Sequence, residues 1–171
     1  MKLRVVRFTA VLVTACAFAA AQAPPSQDTF VSASKATTNY GSNPSLVVQA
    51  GNNGNTLLQF NLASLPTGVN ASQLNNAKLR LFVSGFSTAG TFDVYLINGK
   101  WNENTVTYAT SPQLGALVVS GFNVPASAKN TFVEVDVTSA LQQWISGTPN
   151  FGCPPSFAIA ESEAMNISMR R

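Results

Sequence analysis

The chain has 171 residues, enough for one ordinary domain with a real core. Charged residues are 10% of the total and histidine is absent, which excludes His-based acid–base work, Ser–His and Cys–His nucleophile pairs and imidazole metal sites. The net charge of +3 comes from Lys2, Arg4 and Arg7, three of the ten basic residues, so from Pro24 onward seven basic face seven acidic residues. No clustered basic surface for nucleic acid or anionic membrane follows from that balance.

Residues 1–21 read as a secretory signal peptide. Lys2, Arg4 and Arg7 form a basic start, and Phe8 to Ala20 is an apolar run too short to span a bilayer. Small residues follow, with cleavage after Ala21 or after Ala23; Pro24 disfavours the second, so Gln22 is the expected new N-terminus. The alternative is a lipoprotein anchored through Cys16, in Val13-Thr14-Ala15-Cys16, although the alanine-rich run after it is unlike a polar tether. The processed chain is read as secreted, with no transmembrane segment. It keeps one cysteine, Cys153, so no intrachain disulfide forms.

Residues 22–27 read as a linker. β-type runs then alternate with turn clusters at roughly ten-residue spacing, the pattern of an all-β sandwich. Strands are predicted at 29–32, 46–49, 56–62, 77–84, 91–97, 114–120 and 132–137. Alternation turns Leu58, Phe60 and Leu62 inward, with Gln59 and Asn61 opposite. It likewise turns in Leu79, Leu81 and Val83 against Lys78, Arg80 and Phe82, and Phe92, Val94 and Leu96 against Asp93, Tyr95 and Ile97. Val133, Val135 and Val137 complete the inward set, leaving Glu134 and Asp136 wet. One short helix is predicted near 139–146, with Ser139 and Gln142 as a capping box, Leu141 and Trp144 on one side, and Gly147 as the stop.

In order, the chain reads DTFVSASKATTNYGSNPSLVVQAG, TLLQFNLASLP, AKLRLFVS, KWNENTVTY and VEVDVTSALQQWISGTPNFG. This succession, over 28–152, resembles the DNRLRE domain, also classed as carbohydrate-binding module family 96. The resemblance implies a secreted, non-catalytic, jelly-roll-type β-sandwich of bacterial extracellular proteins. It also implies a polysaccharide partner, for some members an acidic one such as alginate. After Gly152 the family pattern calls for a strand, a loop and a final strand, yet the chain continues CPPSFAIAESEAMNISMRR. Pro154 and Pro155 cannot donate to a ladder. The expectation is therefore a sandwich lacking its last one or two strands, with residues 153–171 an atypical tail where the reading frame shifts or ends early; the alternatives are a brief pairing of Ser156 to Ala160 and a true variant whose tail covers the edge differently.

For function, the expectation is a non-catalytic module for an extracellular or cell-wall polysaccharide, against a structural or adhesive surface module with no small ligand. The one enzymatic idea, a glycosidase pair of Glu134 and Asp136, yields to a solvated strand face paired with Lys78 and Arg80. Sugars need aromatic platforms and planar polar groups; Tyr40, Tyr95, Trp101, Tyr108, Phe122 and Trp144 are the aromatics considered. A buried anchor suits Trp101 and Trp144 better, and Tyr40 either stands out from its loop or packs back over the sheet. The binding candidates are Tyr40, Lys35, Lys78, Arg80, Tyr95 and Lys100, the Arg fork suiting a uronate carboxylate. Calcium is the one metal considered, with Asp28 as its ligand, though an Asp at a strand start also reads as a turn former.

Overall fold

A computed structural model describes residues 22–49, 54–65, 68–147, 154–163 and 165–170. The leader, Cys16 and Cys153 lie outside the described residues. The nine strands are β1 (Pro25–Ser32), β2 (Ser45–Gln49), β3 (Gly54–Phe60), β4 (Lys78–Thr88), β5 (Gly90–Asn98), β6 (Gln113–Val124), β7 (Thr131–Asp136), β8 (Ser156–Glu163) and β9 (Asn166–Arg170). One helix, α1 (Thr138–Ile145), follows β7. Among the described residues no helix is long and apolar enough to cross a membrane.

Every strand pair is antiparallel, in the order β6-β5-β8-β3-β2-β9-β4-β7, with β1 also on β3. The link between β2 and β3 is the single pair Gln49↔Gly54, so the sheet turns a corner there and curls into a half-barrel. Both arms supply one core. Leu46 and Val48 come from β2, Leu81 and Val83 from β4, Phe92 and Val94 from β5, and Val135 from β7, each at most 6% exposed. Of these, Leu81, Val83, Phe92, Val94 and Val135 are the inward positions that alternation selects. Phe60 and Leu96 are only partly buried but pack on the same core.

The tail overturns the expectation of a shortened sheet. Residues 156–163 form β8, which lies between β3 and β5, and residues 166–170 form β9, between β2 and β4. Phe157, Ile159, Ile167 and Met169 are at most 3% exposed. The two prolines are tolerated because they precede the strand. The Pro155 carbonyl accepts the Phe60 amide at 2.8 Å, a bond that asks no N–H of proline.

A second correction concerns the outer face of β3 and β5. Gln59 and Ile97, placed on the wet side by alternation, are 6% and 7% exposed. Trp101 and Val106, from the connection between β5 and β6, pack there with Val31, Leu57, Ile97 and Ala158 as a second apolar cluster. Side-chain bonds fasten this cover. Asn39 Nδ2 donates to the carbonyls of Glu103 and Val106 at 2.8 and 2.7 Å, and the Ala109 amide donates to Ala36 at 2.9 Å. Gly41 passes so close to the Glu103 carbonyl that a Cβ would collide with backbone there. The motif segments containing Asn39-Tyr40-Gly41 and Trp101-Asn102-Glu103 are thus a structural clasp.

The helix starts by a different device from the predicted capping box. Asp136 Oδ1 accepts the Thr138 amide at 3.0 Å and the Thr138 hydroxyl at 2.6 Å. Gln142 reaches away, its Nε2 donating to the Leu74 carbonyl at 2.8 Å. Gly147, at φ +81°, ends the helix as its sequence position suggests. Trp144 lays its ring 4.8 Å from Phe157 and so anchors the helix to β8.

Candidate functional site: a groove beside the start of β4

β9 ends at Arg170, opposite Phe82, but β4 begins four residues earlier at Lys78. Among the described residues, positions 78–81 therefore have a strand neighbour on the β7 side alone. A groove of about 890 Å³ opens at this place. Its floor includes Leu46, Leu58 and Met169, and the arm 22–25 with Asp28 forms a wall. Lys78, Arg80, Phe82 and Phe132 line it too.

The register of β4 and β7 explains the polar arrangement. Lys78 stands across from Asp136, Arg80 from Glu134, and Phe82 from Phe132. Lys78 Nζ lies 2.8 Å from Asp136 Oδ2, and Arg80 Nε 3.2 Å from Glu134 Oε1. The pairing inferred for the wet strand face is what the structure contains. Lys78, with the hydroxyl and amide of Thr138, holds the Asp136 carboxyl well below the usual carboxylate range, so it stays anionic far into acid. Both pairs are solvent-exposed, and such pairs contribute only about 0–1 kcal/mol to stability. Their chief consequence is positional.

Phe132 is the aromatic that the sequence reading passed over. It shares the outward parity of Glu134 and Asp136, so an apolar ring on the wet face was there to be noticed. It is 53% exposed, the Arg80 guanidinium lies 4.2 Å from its ring centroid, and Phe82 meets it edge-on at 5.1 Å. Cation–ring contact and the edge-on neighbour fix the orientation of the ring without covering it.

Of the sequence candidates, Lys78, Arg80 and Asp28 come together at this groove, whereas Lys35, Tyr40, Tyr95 and Lys100 are not among its lining. Tyr40 packs back, its ring stacked 4.2 Å from Phe30. Tyr95 donates its hydroxyl to Asp93 Oδ2 at 3.1 Å, and burial together with that carboxylate pushes its pKa up. Lys35 and Lys100 are exposed in connections, Lys35 ending a short turn and Lys100 just before buried Trp101.

The Asp28 amide donates to Glu103 Oε2 at 3.2 Å. Calcium takes six to eight oxygens, and among the described residues no three His, Cys, Asp or Glu side chains gather as a metal set.

No curated protein sequence matches this chain. One family model does match, and it runs from residue 19 to residue 170, through the tail in which the sequence reading loses the pattern. That model is carbohydrate-binding module family 96, and the chain belongs to this family.

Proposed function

We propose that the chain is a secreted module that holds an extracellular or cell-wall polysaccharide in the groove beside β4. Family membership makes it a non-catalytic binding module in general; the site and the ligand are our reading. The observation that carries it is Phe132, an oriented and half-exposed ring beside paired cations and carboxylates. A pyranose C–H face stacks on such a ring, and sugar hydroxyls use both donors and acceptors around it. In the same reading the two arms of the half-barrel close as a jelly-roll-type sandwich, which their shared core supports. Export after cleavage at Ala21 belongs to the proposal too, and the intact mass of the processed protein checks it.

Affinity electrophoresis against immobilised polysaccharides tests the site. Phe132→Ala is expected to weaken retention at least about tenfold, or about 1.4 kcal/mol, while melting within about 0.5 kcal/mol of the parent as surface changes do. Retention unchanged by Phe132→Ala would move the site elsewhere. A structural or adhesive module is the second reading, and the exposed Phe132 ring with its neighbouring ion pairs favours it equally, since such a patch also docks an extended polypeptide. Retention of no polysaccharide, together with capture of an extended peptide, would establish that reading instead.

A further inference from the structure

We infer that the polysaccharide taken by this groove is uncharged, not a polyuronate; the inference rests on the glycan reading of the same site. A polyuronate needs cations whose charge is unspent. Here Lys78 and Arg80 already sit 2.8 and 3.2 Å from Asp136 and Glu134. Asp28 in the groove wall adds a third acid. Both lining cations are thus already matched by carboxylates, with a further acid beside them. A uronate carboxylate approaching Arg80 meets Glu134 at nearly the same distance, and repulsion cancels most of the attraction. Asp136 does not relieve this by protonating, because Lys78 and Thr138 stabilise its anion.

Hydrogen-bond chemistry argues the same way. A carboxylate only accepts, as do Glu134 and Asp136, so the group that distinguishes a uronate offers these acceptors nothing. A sugar hydroxyl donates to a carboxylate and accepts from its ammonium or guanidinium partner, which lets it use both halves of an ion pair without separating them. The apolar floor of the groove and the Phe132 ring add surface that an uncharged pyranose covers without desolvating a formal charge. The whole processed chain repeats the balance, with seven basic and seven acidic residues from Pro24 onward.

The test is binding of the purified protein to alginate and polygalacturonate on one side and to β-1,3-glucan, β-1,4-glucan, mannan and galactan on the other. It is run at about 0.1 M and about 1 M NaCl, between which the screening length falls from about 10 to about 3 Å. At least one neutral polysaccharide is expected to bind at least about tenfold more tightly than either polyuronate, and to change less than about twofold with salt. The double variant Glu134→Gln with Asp136→Asn frees both cations, and it is expected to raise polyuronate affinity several-fold with new salt sensitivity. Tightest binding of a polyuronate by the parent protein, weakening steeply with salt, would overturn the inference and leave the glycan reading standing. Binding to none of the six would remove the glycan reading itself.

Discussion

A chain ending at Gly152 is expected not to fold. The nineteen residues removed include β8, the partner of both β3 and β5, and β9, the partner of both β2 and β4. Without them β2 keeps one pair to β3 at Gln49↔Gly54, and neither arm of the sheet retains its centre. The apolar loss is large as well. Phe157, Ile159, Met165, Ile167 and Met169 are each at most 3% exposed, and a fully buried side chain of this size stabilises by roughly 1.5–3 kcal/mol. Five of them rival the whole stability of an ordinary domain, about 5–15 kcal/mol. The strands left behind would also expose long unpaired edges, so aggregation is the expected fate. Circular dichroism and thermal unfolding of residues 22–152 beside residues 22–171 decide the matter. A cooperative transition in the shorter chain would show that the sheet does not depend on its last two strands.

That same tail shows where sequence reasoning succeeds and where it stops. Strict alternation named the inner face of β4, β5 and β7 position by position, because each of these strands turns one apolar face to the main core; Ile97 of β5 escapes it, since the second cluster covers that position. It failed on β3, where Leu57 and Leu58 are adjacent and both buried, since a second cluster covers the outer face. Alternation signals one buried face; a strand covered on both faces carries no such signal. The tail was misjudged for a related reason. Ser156 to Ala160, the start of a central strand, is wholly buried and too short to show a period, and Pro154 and Pro155 precede the ladder rather than interrupt it. At the candidate site, Lys78 and Arg80 were legible from their shared face, and their pairing with β7 from the charges opposite. The groove was not legible. It is assembled from β4, the inner faces of β2 and β3, and the arm 22–25, and no local pattern records which distant segments converge.

Trp101→Ala is expected to be the most damaging single substitution outside the main core, yet to leave the groove's chemistry alone. Trp101 is 9% exposed and sits on Val31, Leu57, Ile97, Val106 and Ala158, where it closes the clasp over the outer face. Replacing a buried Trp by Ala typically costs about 3–5 kcal/mol through lost burial and the cavity that remains. One feature of the site works against that figure. Trp101 Nε1 finds no hydrogen-bond partner among the described residues, and an unsatisfied buried donor itself costs about 1–3 kcal/mol. The net loss is therefore expected near the lower end, about 2–4 kcal/mol. The same reasoning makes Trp101→Phe mild, below about 1.5 kcal/mol, because an aromatic of similar shape keeps the packing and removes the orphan donor. Urea unfolding of the two variants and the parent gives both numbers. If Trp101→Ala cost less than about 1 kcal/mol, the clasp would not be a structural lock. If Trp101→Phe lost polysaccharide retention while keeping stability, the indole would belong to the binding site, and Phe132 would no longer stand as its platform.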